Sequence, residues 1–345
     1  MGLKRAVTSE FLGLAVVLLA WFCTSAGLIF TNRILMTSGL KAPVSLTVLH
    51  MIASFLFANG AIMFGGFEAQ PCTSRKQRFH ILTLAAAFGV SVVAGVAAFS
   101  FIPVSFSEMI SSTTPVFTAL FACLIVRERS GSWLNSLSLL VVVVGALVAT
   151  EGEPSWHPVG FTLAVTSTVL RAFKAVIQQV LLQSEEEKMD SINLLRHISI
   201  AVTVLLLPMA AAMEGPTYLA DIVYNAHLNG DSRLPAMLLL NVSAAFLVNW
   251  VQMQVTKMVG ATVLQVLGIV KGTLTAFLSI LFFRNPVTVS SVSGYITVIV
   301  GVFMYHFTYA ARAPPQHKPG KELDADRAET ATPDHGHRQA AHGAV

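Results

Sequence analysis

Lys271 is the sole charge in the apolar stretch from Ala261 to Phe283, and Arg171 and Lys174 lie near the centre of a second such stretch, Gly160 to Leu182. A cation at mid-bilayer costs roughly 2.5–3.5 kcal/mol on insertion scales, so such side chains normally face a cavity, a counter-ion or a ligand. Three of them at similar depth predict a positively charged chamber that holds an anion. Glu108 is the one carboxylate clearly inside a span, and a single acid cannot neutralise three cations. A visiting anion is the natural missing partner.

Helical spacing sharpens this expectation. Residues three, four and seven apart share a face, so Ser167, Arg171, Lys174 and Gln178 form one stripe. Arginine can grip phosphate oxygens in bidentate fashion, whereas lysine acts as a compact charge. The candidate substrate contacts are therefore Lys271, Lys174, Arg171 and Gln178. His50, within the second span, could donate to a phosphate or a ribose hydroxyl, or simply bond a neighbouring helix. Asn249 and Gln265, with Asn241 and Gln252, are amides inside spans, where polar glue between helices is the competing role. Glu108 and Arg33 form a candidate gate pair, with Lys41 as an alternative partner for the acid and a packing or capping role as the competing reading of Glu108. Trp21, Phe101, Trp250, Tyr295 and Tyr305 could stack a base, or serve as packing and interfacial aromatics.

The elements that position these groups follow from composition. Hydrophobic residues make up 54% of the 345-residue chain and Asp, Glu, Lys and Arg only 12%, against about 25% charged residues in soluble domains. Mean hydropathy is +0.68. The net charge of +4 is scattered over short loops and a tail, so no nucleic-acid patch is present. About 20 apolar residues cross the hydrocarbon core as a helix. On that ruler ten spans are expected, at roughly 11–31, 43–65, 79–99, 104–126, 133–150, 158–182, 192–213, 235–256, 261–283 and 287–310. Runs of this length exclude barrel strands. The fold class is all-α, a polytopic membrane protein whose partner is the bilayer.

Lys4, Arg5, Arg75, Lys76, Arg78, Arg127, Arg129, Lys188, Lys257 and Arg312 collect on one side of that arrangement. The positive-inside rule then places both termini in the cytosol. Residues 1–10 form a cytosolic N-terminus too short for a transit peptide, and the first apolar run ends without a cleavage signal, so it reads as a retained helix. Residues 312–345 are expected to be a disordered cytosolic tail, solvated despite His335 and His337. Cys23, Cys72 and Cys123 are odd in number and lack metal-ligand spacing, so they are expected to be inert. No cofactor is expected.

A weak internal repeat runs through the chain. Val104 to Arg127 lies over Ala261 to Arg284, so that Thr118-Ala119 meets Thr275-Ala276, Glu108 meets Gln265, and Thr113-Thr114 meet Val270-Lys271. Thr114 thereby joins the candidate contacts. The hydropathy repeats as well, five helices in 11–153 and five in 154–311. An odd number of spans per half inverts the second half, the 5+5 architecture of alternating-access carriers with a site near the midplane.

Trp21-Phe22, Gly27, Asn32-Arg33, Pro43, Leu46-Thr47 and His50 resemble the opening helices of the triose-phosphate/nucleotide-sugar translocator group, within the drug/metabolite transporter superfamily. Ile102-Pro103-Val104-Ser105-Phe106 with Thr113-Thr114-Pro115 is similar to its fourth helix. Leu264 to Gly268, Lys271 and Phe283 to Thr288 are similar to its ninth helix and the following loop. Within the group the chain most resembles plant and algal Golgi carriers of UDP-pentose type, including those for UDP-arabinose. Plastid sugar-phosphate carriers have a Lys-Arg pair in the ninth helix; here the position reads Lys271-Gly272. The resemblance thus implies an antiporter that exchanges a nucleotide sugar for a nucleoside monophosphate in the Golgi membrane. Sugar phosphate or phosphoenolpyruvate against phosphate is the alternative, as are the endoplasmic reticulum or the plastid inner envelope for location. A proton-coupled metabolite exporter is more remote. An intramembrane enzyme would need paired Asp, a Ser/His couple or metal ligands inside spans, and none is present. The oligomeric state is left open, with a homodimer allowed.

Overall fold

The computed structural model describes residues 2–37, 40–102, 107, 110–127, 133–149, 157–184, 187–216, 224, 233–283 and 289–310. Among them there is no strand, as expected where each backbone polar group must be satisfied without water. The helices are α1 (Gly2–Thr37), α2 (Pro43–Phe64), α3 (Arg75–Ala98), α4 (Thr114–Phe121), α5 (Trp133–Ala149), α6 (Pro158–Gln183) and α7 (Ser191–Glu214). A rod, Arg233–Phe283, and a last helix, Val289–Ala310, follow. Among the described residues six helices are long and apolar enough to cross a membrane: Leu12–Met36, Pro43–Phe64, Arg75–Ala98, Pro158–Gln183, Ser191–Glu214 and Arg233–Lys271. Shorter apolar helices cover Thr114–Val126, Trp133–Gly145 and Val292–Tyr305. The chain is a membrane protein.

Local chemistry sets the helix ends. Proline stands in the first turn of α2, α4 and α6, where its missing N–H is no loss. Ser74 caps α3 by accepting from the Lys76 amide, and Asp190 caps α7 by accepting from Ile192. Helix α1 runs well beyond the expected 11–31, because nothing between Gly2 and Thr37 breaks it: Asn32 and Arg33 are polar but not helix-terminating. The fourth span contains α4 from Thr114 and widens into a π turn over Ala122–Val126. Its expected beginning at 104, including Glu108, lies outside the described residues, as does the tail from 311 onward.

The expected eighth and ninth spans emerge as one rod bent at Gly260, whose φ of +80° interrupts the helix. That left-handed value is open to glycine at little cost. The arms are labelled α8 (233–259) and α9 (261–283), and Val289–Ala310 is α10. At the bend the Ala261 amide loses its helical acceptor. Buried Gln179 of α6 supplies one instead, its Oε1 accepting at 2.7 Å.

The most extensive contacts pair α5 with α10, α2 with α7, α3 with α6, and α1 with the α8–α9 rod. Every one of these joins residues 11–153 to residues 154–311. Advancing each label by five, and wrapping round, maps α5·α10 and α2·α7 onto themselves and α3·α6 onto α8·α1. The α5·α10 contact is close because Gly145 lies against the backbone of Gly294 and Val298, while Gly301 lies against Val142. Small residues allow such approach between membrane helices.

Candidate functional site

A cleft enclosing about 390 Å³ of space, counted to its open mouth, lies between α2, α3, α6, α7 and α8. Lys174, Gln178, Asn249 and Gln252 supply its polar lining, and Met51, Phe88 and Met253 are among its apolar walls. Lys174 Nζ stands 4.1 Å from the centroid of the Phe88 ring. Among the described residues no carboxylate pairs with Lys174. A ring face offers such a cation ~0.5–2 kcal/mol, far less than a desolvated carboxylate or phosphate can.

The rest of the α6 stripe divides by role. Gln178 is buried, and its amide donates to Thr256 Oγ1 at 3.2 Å while lining the cleft. Ser167 donates to the Ser91 carbonyl at 2.7 Å and so ties α6 to α3. Arg171 is exposed and does not line the cleft. Of the predicted contacts, the cleft therefore gathers Lys174, Gln178 and Asn249. Gln252, read as structural glue or ligand, joins them.

Lys271 is half-buried on α9 and lies elsewhere, its Nζ 4.5 Å over the Trp21 ring of α1. Gln265 is half-buried on the same helix and does not line the cleft. His50 is engaged between helices: its Nε2 lies 2.7 Å from Asn241 Oδ1. The Asn241 amide nitrogen donates to Thr31 Oγ1 at 2.9 Å and to Asn32 Oδ1 at 2.7 Å. With that nitrogen donating twice, the Asn241 oxygen accepts from His50, so Nε2 carries the proton. This knot joins α1, α2 and α8. Thr114 is buried, donates to the Ser111 carbonyl, and gives its own carbonyl to Thr118 at 2.9 Å. The Arg33 side chain and Glu108, the candidate gate, lie outside the described residues.

Of the described aromatic candidates, Trp21, Phe101, Trp250 and Tyr305, none lines the cleft. Phe101 stacks on His157 at 5.0 Å, Trp250 on Phe246 at 6.3 Å, and Tyr305 is buried with Leu139 and Val266. The Tyr295 side chain lies outside the described residues. Cys23, Cys72 and Cys123 are all free thiols, and no cluster of metal-ligating side chains occurs among the described residues.

Sequence reasoning missed a polar seam at one end of the bundle. Buried Glu187, between α6 and α7, receives His80 Nδ1 at 2.5 Å and Lys76 Nζ at 3.3 Å from α3. Gln77 donates to the Glu187 carbonyl at 3.2 Å. Asp190 pairs with Lys257 of α8 at 3.4 Å, and Gln183 donates to the carbonyls of Thr256 and Lys257 at 3.1 Å. At the opposite end Glu214 of α7 accepts from the amides of Val44 and Ser45 at 2.7 and 2.8 Å and from the Ser45 hydroxyl at 2.5 Å. A carboxylate suits the free amides and positive pole of a helix N-terminus. Helices α2 and α7 are thus fastened at both ends, because Asn193 also bonds Gln70 and Glu68 of the loop after α2.

The sequence profile of the Triose-phosphate Transporter family matches residues 12–306. The chain belongs to that family. It is a membrane transporter and not an enzyme. A probable sugar phosphate/phosphate translocator of Arabidopsis thaliana is 39% identical, over 88% of this chain and 97% of the relative. UDP-uronic acid transporter 1 of the same plant is 35% identical, with the same coverage. A solved crystal structure is similar over 87% of this chain and 99% of its own, with a TM-score of 0.64 at 13% identity, a likeness of fold alone. The family thus includes relatives named for sugar phosphates and for nucleotide sugars, and the choice between them rests on this chain's own residues.

Proposed function

We propose that this triose-phosphate transporter family member is an antiporter that exchanges a nucleotide sugar, of UDP-pentose type, for a nucleoside monophosphate across the Golgi membrane. One observation carries the reading: Lys174 lines an open, polar-edged cleft with an aromatic ring, and no described carboxylate, as its partner. An anion that enters supplies the missing charge. The amides of Gln178, Asn249 and Gln252 offer both donors and acceptors to hydroxyls or a base beside it. Arg171 and Lys271 supply further positive charge along α6 and α9, and His50 and Thr114 act as positioning groups within their helix contacts.

Several features support alternating access by an inverted repeat with both termini cytosolic. The four most extensive helix contacts map onto one another when labels advance by five, as a pseudo-twofold relation between 11–153 and 154–311 requires. Because the strongest contacts all cross between the halves, each moving body contains helices from both, and neither half rocks as a block. The polar seam falls on the side rich in Lys and Arg. When the cleft is empty, Lys174 has no described carboxylate as a counter-charge, which disfavours passage through the closed form. Obligatory exchange follows.

The sugar-phosphate/phosphate reading is favoured by the 39% identical relative. The Lys271-Gly272 sequence, lacking the second cation expected of such carriers, favours the nucleotide sugar. Proteoliposomes loaded with UMP or with phosphate separate the two. Uptake of labelled UDP-arabinose, UDP-xylose or UDP-glucuronic acid against internal UMP supports the proposal. Uptake of triose phosphate against internal phosphate, with none of the UDP-sugars carried, overturns it.

A further inference from the structure

Trp21 and Ser25 stand one turn apart on α1 and share a face. They are 2% and 3% exposed, and neither Trp21 Nε1 nor Ser25 Oγ has a hydrogen-bond partner among the described residues. Roughly 90% or more of buried polar groups find a partner, so two adjacent exceptions require a reason. Other hydroxyls of the same helix behave differently. Thr24 Oγ1 donates to the Ala20 carbonyl at 2.7 Å, and Thr31 Oγ1 to the Gly27 carbonyl at 3.0 Å. A serine in a helix has the same backbone acceptor within reach, yet the Ser25 hydroxyl makes no such bond.

Lys271 completes the group, its ammonium standing 4.5 Å over the Trp21 ring. An indole is negative on its face and positive at its edge. Its face therefore holds the ammonium while its edge presents a proton. The buried side chains packed on Trp21 are Val255 and Leu264, which offer no acceptor. An ammonium, an indole N–H and a hydroxyl on neighbouring elements share one chemical complement: an oxyanion that accepts several hydrogen bonds.

The geometry points to Trp21 and Ser25 as substrate-binding residues that, together with Lys271, hold a phosphate oxyanion of the transported molecule. This assignment rests on the transport reading above. Trp21 contributes its donor edge, so its role is not that of a stacking platform.

The test uses the full chain in lipid nanodiscs and proteoliposomes, with UMP, inorganic phosphate and uridine as probes. The 15N–1H signal of the Trp21 indole, identified by its loss in Trp21→Phe, is followed during titration. It is expected to move downfield with UMP or phosphate and to stay still with uridine. Trp21→Phe keeps the ring beneath Lys271 and removes the donor, so the exchange KM for the transported phosphate compound should rise about tenfold, the scale of one charge-assisted hydrogen bond. Maximal exchange should stay within about twofold, the signature of lost binding. Ser25→Ala should shift KM in the same direction. A stationary Trp21 signal at probe concentrations that saturate wild-type exchange overturns the assignment, as does an unchanged KM in both variants. Complete absence of wild-type exchange of every phosphate compound strikes the transport reading itself, and this assignment with it.

Discussion

Two groups of positive charge in this molecule differ in what answers them. At the seam, Lys76 and His80 share buried Glu187, and Lys257 meets Asp190. In the cleft Lys174 meets the Phe88 ring, and no described carboxylate pairs with it. The seam charges hold elements to one another and have permanent partners built into the chain. The cleft charge is part of a surface that faces empty volume, where a permanent carboxylate would compete with a visiting anion. On the proposed reading, the difference separates charges that fasten the bundle from a charge that serves transport, although lysines stand in both groups.

Substitutions can break or sharpen that contrast. The largest effect is expected at Lys174: replacement by Ala should lower exchange by about 100-fold or more, comparable to loss of a charge-assisted contact of ~2–3 kcal/mol. Its melting temperature should not fall, because an unanswered buried cation has been removed; a fall would place Lys174 with the fastening charges. Glu187→Gln acts in the opposite sense. It should lower stability by about 1–3 kcal/mol, since a buried acceptor shared by Lys76 and His80 is weakened, and leave the substrate KM unchanged in vesicle exchange. Gln179→Leu should cost a similar ~1–2 kcal/mol by leaving the Ala261 amide unpaired at the Gly260 bend, measured by thermal unfolding in detergent. The smallest effect is expected at Lys76, whose side chain is 62% exposed. Lys76→Ala should change stability by less than about 1 kcal/mol, and a larger loss would show that the seam acts as one cooperative network.

The apolar runs and their prolines made the helices legible, since Pro43, Pro115 and Pro158 all fall in first turns. The three-four-seven spacing also brought out the α6 stripe, of which Lys174 and Gln178 reach the cleft. Other features depend on partners far apart in the chain. His80 meets Glu187 across 107 positions, and Val44 meets Glu214 across 170. Helical periodicity cannot specify which carboxylate closes which helix end. An interruption near Gly260 was expected between the spans at 235–256 and 261–283, but the capping Gln179 that lies opposite it was hidden. Ser167 shares the stripe with Lys174, yet the close approach of α3 gives it a backbone acceptor, an outcome set by packing distance and not by spacing.

Ligand-induced stabilisation tests the central claim most directly: the counter-charge of Lys174 arrives with the substrate. Thermal unfolding of the wild type and of Lys174→Gln is compared with and without saturating UMP. A ligand bound only to the folded state at 100 times its Kd stabilises by about 2.7 kcal/mol, so the wild-type midpoint should rise by several degrees while Lys174→Gln gains little or nothing. An equal rise in both proteins would contradict the account.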